Sequence, residues 1–353
     1  MQFTLDDEPR FPRGKRSGIG IIGCGHIVQT AHLPAYEKYG LNIVGVYDIS
    51  EQAMRTVQQR FHVRHAFASV DDLFASSDIE VVDIATHPAE RAGLILKALQ
   101  AGKHVLSQKP FALDMHTAQE LIQEAERRHL TLAVNQNGRW APPWRITTQL
   151  VQQGAIGEVL AVTHLFDTRF EWVTGTVFDT IPHWAIYDYG LHWIDSIHCW
   201  LADTPLTSIR AREYRTPDQP MESKADWGMW CEFVYANGAH AMIRSVGCSQ
   251  TQRDGHPFWL HGTQGIIRGS ILGKGNDFVE LERDGISSRY PLKGQWFPDG
   301  FAGTMGELLC AIEEDREPYH SARHTLRSLQ MTLAACQSAE HNGEVVPYEE
   351  MKR

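Results

Sequence analysis

Ile19-Gly20-Ile21-Ile22-Gly23-Cys24-Gly25-His26-Ile27-Val28 is the stretch whose reading decides the fold. Its opening run is short, rich in isoleucine and without polar alternation, as strands covered on both faces of a parallel sheet are. The run ends in the first two glycines of a G-x-G-x-x-G pattern, with Val28 in the third glycine's place. Gly23 suits a tight turn, Gly25 lets the backbone approach a pyrophosphate, and the following helix aims its N-terminal N–H groups at the phosphate. Asp48 ends the next apolar run, 20 residues beyond Val28, where a ribose-binding carboxylate belongs. It would accept hydrogen bonds from both adenosine ribose hydroxyls and repel a 2′-phosphate. Ile49 and Ser50 supply no compensating arginine, so NAD is favoured over NADP. The bland alternatives are a glycine turn that only packs strand on helix, and a surface acid at a strand end.

Outward from this turn, apolar runs at 19–23, 42–48, 81–86, 105–106 and 132–134 alternate with helical stretches. Ser50 is placed to cap the segment running to Arg60. Ser69 followed by Asp72 resembles a capping box, and Asp114 is placed to cap a helix reaching Arg128. Gly102 follows 88–101 as a helix-ending residue. Repeated β-α units predict a doubly wound α/β domain over 18–137. After 138 the pattern changes. A helix is expected from Pro142 to Gln153, then runs at 160–168, 229–235, 240–246, 258–261, 265–269 and 278–282 that read as antiparallel strands. Asn237-Gly238 is a hairpin turn signal between two of them. This predicts a second α/β domain over 138–353 with a large, open, mostly antiparallel sheet. A final helix near 324–341 would pack back on the first domain, and residues 1–17 would form a flexible arm.

The chain has 353 residues, enough for two domains, and 33 Lys+Arg against 43 Asp+Glu give a net charge of −10. An acid excess with scattered cations argues against a nucleic-acid partner. No apolar run is long enough for a membrane span, and the N-terminus lacks a signal-peptide core. The six cysteines are widely spaced without a CxxC, which suits free thiols in a reducing cytoplasm. No H-E-x-x-H run is present to support a metal site.

Two clusters carry chemistry. His104-Val105-Leu106-Ser107-Gln108-Lys109-Pro110 ends a strand of the first domain, and Asp188-Tyr189-Gly190-Leu191-His192-Trp193-Ile194-Asp195 lies in the second. At helical spacing Asp188 and His192 share a face. A lysine from one domain and an Asp/His pair from the other would converge beside a nicotinamide. Imidazole suits the base that removes a hydroxyl proton, and an ammonium group favours the alkoxide. Asp195, one turn beyond His192, is either structural or part of the site.

From Gly18 onward the sequence resembles the glucose-fructose oxidoreductase / inositol dehydrogenase / rhizopine-catabolism (Gfo/Idh/MocA) family. The resemblance rests on Gly23-Cys24-Gly25 followed by His32-Leu33-Pro34, on Ala101-Gly102-Lys103-His104-Val105-Leu106 leading to Lys109-Pro110, on Gln153-Gly154-Ala155-Ile156-Gly157-Glu158-Val159, and on the D-x-G-x-H signature at 188–192. It implies NAD(P)-dependent oxidation or reduction of a sugar, glycoside or cyclitol hydroxyl, with catalytic Lys109, Asp188 and His192. It also implies a homodimer or homotetramer through the large sheet. Cofactor contacts are expected at Gly23, Gly25, His26, Ile27, Asp48, Thr86, His87, Gln108, Lys109 and Asn137. Substrate contacts are expected at Arg139, Trp140, His183, Trp184, Asp188 and His192, with Trp172 and Tyr187 as further aromatic candidates. Three departures stand out: Gln108 where the family has Glu, Arg91 where it often has His, and 181–187 in place of a glycine-rich stretch, which suggests an aromatic-lined pocket. Two other functions remain compatible, a redox-neutral lyase or glycosidase that retains NAD and a non-catalytic dinucleotide sensor. Retention of Lys109, Asp188 and His192 together speaks against the sensor.

Overall fold

The computed structural model describes residues 3–14, 16–247, 255–273 and 275–349. It divides into two compact units, one of Glu8–Ala141 with Gly294–Leu326, the other of Met1–Asp7, Pro142–Lys293 and Arg327–Arg353.

The first unit carries strands β1 (Ile19–Ile22), β2 (Ile43–Tyr47), β3 (His65–Ala66), β4 (Val81–Ile84), β5 (His104–Ser107) and β6 (Leu132–Val134). They form one parallel sheet in the order β3-β2-β1-β4-β5-β6. Helices α1 (Leu33–Lys38), α2 (Glu51–Phe61), α3 (Val70–Ala75), α4 (Pro88–Gln100) and α5 (Met115–Arg127) connect them. The expected caps are present: Ser50 Oγ accepts from Ala53 N–H, Ser69 Oγ from Asp72 N–H and Asp114 Oδ1 from Thr117 N–H. Gly102, at φ +77°, closes α4. Strand order reverses between β1 and β4, the switch point at whose C-terminal side such sheets bind ligands.

The sequence boundary at 138 is corrected by the later chain. Phe301, Ala302, Met305, Leu308 and Leu309 of the helix Phe301–Glu313 are buried in one core with Ile19, Ile21, Val28, Leu106 and Ala133. Beside β6, Val134 N–H donates to His320 C=O, and Ala133 bridges Ser321. The apolar spacing of 301–309 needs a face to bury, and the first unit's core supplies it.

Residues 3–14 are not a loose arm. In the first unit Phe11 packs on the core, and Arg13 and Gly14 donate N–H groups to Glu313 at 3.2 and 2.9 Å. In the second, Gln149 and Gln153 each exchange two hydrogen bonds with the backbone, of Asp6 and of Thr4 respectively. An amide carries both donor and acceptor, so two glutamines four apart pair an extended segment as a strand would.

The second unit holds β7 (Val159–Asp167), β8 (Leu206–Tyr214), β9 (Gly228–Tyr235), β10 (His240–Val246), β11 (His256–Gly262), β12 (Ile266–Ile271), β13 (Phe278–Arg283), β14 (Ile286–Tyr290) and β15 (Val346–Pro347). Their order is β14-β13-β12-β11-β7-β10-β9-β8-β15, and only β7 and β10 pair in parallel. Gly238, at φ +85°, makes the expected turn between β9 and β10, where Asn237 Oδ1 accepts from Ala239 N–H. Helices α6 (Pro142–Gln152) and α7 (Leu191–Trp200) bring Trp144, Trp193 and Trp200 against β7. His164 of β7 stacks on Trp200 at 5.2 Å, and burial lowers it to about 3, so it is an uncharged core residue.

His183 ties this unit together. Its backbone is left-handed at φ +52°. Its Nδ1 meets Glu213 of β8 at 2.6 Å, and its Nε2 meets Glu340 of the helix Ala322–Glu340 at 3.2 Å. Carboxylates only accept, so both ring nitrogens donate and the ring is an imidazolium. The hydrogen bond to Glu213 chiefly, against some desolvation, raises the His183 pKa above its ordinary value.

A folded pKa above the unfolded one stabilises fully below the unfolded value and fades as pH rises through the folded one. The stability lost in His183→Gln, read from urea melts, is therefore largest below about pH 6 and shrinks towards pH 9. A loss independent of pH would contradict the imidazolium clamp. At Gly23 (φ +101°) an added Cβ would lie 2.6 Å from the Ala85 carbonyl oxygen. Gly23→Ala is expected to cost roughly 2 kcal/mol or more in the same melts, and an unchanged midpoint would be inconsistent with that turn.

Candidate active site

The turn after β1 has the shape that phosphate recognition needs. Gly23 N–H donates to Tyr47 C=O at 2.8 Å, which holds the turn against β2. A Cβ on exposed Gly25 would meet nothing within 4 Å, so the backbone there is open to a ligand. A helical segment begins at His26, with a π turn at Val28–His32 leading into α1, so a helix N-terminus follows the turn directly. Asp48 follows β2 with its Oδ2 accepting from Cys24 N–H at 2.6 Å and its Oδ1 from Ser50 N–H at 2.7 Å. The carboxylate is thus fixed beside the turn while staying half-exposed. Burial, with Asp48 adding to it, pushes the Cys24 thiol up to about 12, so it is no nucleophile. Thr86, just past β4, holds a buried Oγ1 with no hydrogen-bond partner among the described residues. An open glycine cradle, a helix N-terminus, a fixed acid and an unsatisfied hydroxyl form a donor and acceptor set that fits NAD. His87 has a different task, capping α4 through Nδ1. His26 is exposed and Ile27 half-buried at the helix start.

Lys109 follows β5 and is half-buried. Its peptide is held on both sides. Its carbonyl, and that of Pro110, accept from Arg91 Nη1 at 2.7 Å each, while Arg91 Nε donates to Thr86 C=O at 2.9 Å. One guanidinium of α4 therefore fastens the two segments leaving β4 and β5, which is what a fork of fixed donors does well. On the other side, Lys109 N–H donates to Gln108 Oε1 at 3.0 Å. Gln108 Nε2 reaches His32 Nε2 at 3.0 Å, and His32 Nδ1 reaches Asp83 Oδ2 at 2.7 Å. Tyr36 donates its hydroxyl to the same Asp83 oxygen, and its pKa is raised well above the ordinary value by burial first and Asp83 second. Asn137 is buried, its Oδ1 accepting from Trp296 Nε1 at 2.7 Å.

In the second unit Asp188 lies in a π-helical turn, Ala185–Gly190, that runs directly into α7, where His192 follows in the first turn. Asp188 is buried and His192 half-buried. A Cβ on Gly190 would fall 2.8 Å from Met229 Cε and 2.9 Å from the Ala185 carbonyl, so glycine lets this turn press onto β9. Asp195 is structural: it accepts from Ser328 Oγ at 2.6 Å in a buried pair.

Several expected substrate contacts are spent elsewhere. His183 is the carboxylate clamp described above. Trp184, 1% exposed, packs edge-on against Phe170 and Trp172 and leans on Tyr189. The 181–187 stretch therefore fills a core rather than lining an aromatic pocket, because its residues Ile181, Trp184, Ala185, Ile186 and Tyr187 are all buried. Trp140, 5% exposed, packs edge-on to His320 and Tyr319. Arg139 donates to Tyr319 C=O at 2.6 Å with its guanidinium over that ring. Trp172 is half-exposed on its aromatic neighbours. Spacing alone marked none of Arg91's carbonyl grip, His32, Tyr36 and Asp83 as site residues. The one available signal was polar type in apolar surroundings, an Asp within Val81–Ile84 and a His ahead of Leu33.

Five cysteines (Cys24, Cys199, Cys231, Cys310, Cys336) are free thiols, and Cys248 lies outside the described residues. Among the described residues no helix is long and apolar enough to cross a membrane.

Known proteins agree with this architecture. A family described as oxidoreductase, NAD-binding Rossmann fold, matches residues 17–136, and the GFO/IDH/MocA C-terminal domain matches 144–268. An uncharacterized oxidoreductase of Schizosaccharomyces pombe is 31% identical over 329 residues, 89% of this chain and 84% of its own length. A D-apiose dehydrogenase of Paraburkholderia graminis is 28% identical over 183 residues, 51% of this chain; the match spans about half, 48%, of that relative. An Agrobacterium radiobacter oxidoreductase, solved with NAD+, L-tartaric acid and magnesium, shares the fold at TM-score 0.83 and 21% identity, over 94% of this chain and 98% of its own. Two matching domain models in sequence, and a relative aligned along most of the length, place the chain in the GFO/IDH/MocA oxidoreductase family, its first unit being an NAD-binding Rossmann fold.

Proposed function

We propose that the protein transfers a hydride between NAD and a secondary hydroxyl of a sugar, glycoside or cyclitol, with Lys109, Asp188 and His192 as its catalytic residues. The observation that carries this is the Lys109 peptide, bonded through its N–H to Gln108 and through its carbonyl to Arg91, in the unit that holds the dinucleotide turn. Relatives named as D-apiose dehydrogenases support a carbohydrate substrate.

NAD, when bound, supplies the acceptor for the hydride that leaves the carbinol carbon. The turn at Gly23 and Gly25 would hold its phosphates, Asp48 its adenosine ribose, and Thr86 a further polar group. The Lys109 ammonium donates a hydrogen bond to the hydroxyl oxygen and stabilises negative charge as it develops there. His192 removes the hydroxyl proton, with Asp188 orienting the ring and favouring its charged form. A homo-oligomer joined through the outer face of the nine-stranded sheet, where Leu160 and Met242 are exposed, belongs to the same proposal, as does residence in a reducing cytoplasm.

Incubation with NAD+ and a panel of monosaccharides, glycosides and inositols, followed at the NADH absorbance, tests the assignment. NADH build-up with one class is expected; bond cleavage without build-up would replace it with redox-neutral chemistry. With the active substrate, Lys109→Ala and His192→Ala should each lose roughly 10²–10⁴-fold in kcat while retaining NAD affinity, and near-normal turnover in both would refute the roles given. Asp48→Asn keeps an acceptor for Cys24 N–H but removes the charge. Its preference for NAD over NADP, measured as the ratio of kcat/KM values, should fall roughly tenfold, which corresponds to about 1.4 kcal/mol. An unchanged ratio would remove Asp48 from cofactor selection.

A further inference from the structure

We infer that Gln108 is a positioning residue that holds the Lys109 N–H through its amide oxygen, and that the NH₂ group of the same amide fixes His32 as a neutral ring protonated on Nδ1. This rests on the proposed role of Lys109. The chain of bonds has one consistent assignment of protons. The Lys109 N–H is a donor and faces one Gln108 atom at 3.0 Å, so that atom is the amide oxygen. The other Gln108 atom is then the NH₂ group, and it faces His32 Nε2 at 3.0 Å. The Asn135 amide nitrogen, whose own oxygen lies 3.4 Å from Asn137 Nδ2, faces the same His32 nitrogen at 3.5 Å. An Nε2 approached by two NH₂ groups must accept. The ring proton therefore sits on Nδ1, pointing at Asp83 Oδ2 at 2.7 Å.

His32 and Asp83 are fully buried and Gln108 nearly so, so water is not at hand to satisfy an alternative arrangement. Turning the Gln108 amide over would set NH₂ against the Lys109 N–H and leave two donors facing each other. Asp83 cannot shift to relieve this, because Tyr36 donates to the same oxygen at 2.6 Å and the strand pairs Asp83 with Ile21 and Leu106 on either side. The orientation of the Lys109 peptide is thus set from the sheet interior outward, through Asp83, His32 and Gln108 in turn. A glutamate at 108 would still accept from Lys109 N–H but would present only acceptors to His32. The ring would then need a second proton, and His32 would become an imidazolium between two carboxylates.

The full-length protein, labelled with ¹⁵N and ¹³C, tests this by NMR. The side-chain ring signals are connected to the His32 backbone through bonds, so that no variant is needed for assignment. At neutral pH the native protein should show a protonated Nδ1 and a bare Nε2. A proton on Nε2, or on both nitrogens, overturns the inference. In Gln108→Glu both ring nitrogens should be protonated, and an unchanged ring in the folded variant also overturns it. Kinetics supply the positioning readout. Gln108→Leu, which removes both bonds, should lower kcat roughly tenfold to a hundredfold with NAD affinity little changed, and Gln108→Glu should recover most of that loss because it keeps the acceptor for Lys109. Equal kcat in Gln108→Leu and the native enzyme would discard the positioning role. Full activity in Lys109→Ala would instead discard the proposed function, while the tautomer result would stand by itself.

Discussion

A buried peptide group must find partners, and at Lys109 this requirement organises the surrounding unit. Its N–H is met by the Gln108 side chain, which is linked through buried His32 to Asp83 in the sheet, and its carbonyl by a guanidinium from α4. Each partner is itself held. Arg91 is fixed by the Thr86 and Pro110 carbonyls, and Gln108 by His32. The bonds constrain one another, because turning the Gln108 amide over would set a donor against a donor. The cost of that rigidity is polar burial in the middle of an apolar core. The result is a Lys109 peptide held on both sides, which suits the role proposed for its side chain.

The same logic separates the two ends of the family signatures. Gly23 and Gly190 are fixed by space: at each, an added Cβ would strike a backbone carbonyl. Gly25 is fixed by nothing in the protein, since its Cβ position is open. A glycine with room around it, in a turn beside a fixed acid, is explained by what approaches from outside. That difference makes the turn a ligand-binding feature and not only a packing device.

Much of this was legible from residue pattern. The parallel sheet was visible because its strands are short runs buried on both faces, and the caps at Ser50, Ser69 and Asp114 because a side-chain oxygen ahead of an apolar period has few other uses. Segments with mixed burial stayed hidden. β3 is two exposed residues, β14 is almost wholly exposed, and β8 alternates Arg and Glu with its apolar positions, so none shows the continuous run that marks a covered strand. The helix Phe301–Glu313 was hidden in another way. Its apolar face was plain, but the core it completes lies some 280 residues earlier in the chain, beside Ile19 and Ile21. Burial of the expected aromatic contacts was not legible either: a tryptophan's large apolar area favours burial, and Trp140 and Trp184 pack into cores.

The exchange of the family's glutamate for Gln108 follows from charge once the neighbours are counted. Asp83 brings one carboxylate into a site with no solvent access, where it is stabilised by the Tyr36 hydroxyl and the His32 N–H. A second buried carboxylate at 108 would have to be balanced by a proton on His32, and desolvating two anions and a cation costs several kcal/mol per ion before their attraction returns any of it. An amide avoids that cost. It offers an acceptor to Lys109 and a donor to His32 with no net charge, so the peptide keeps its anchor while the imidazole stays neutral. The Arg91 charge close by is turned onto three backbone carbonyls.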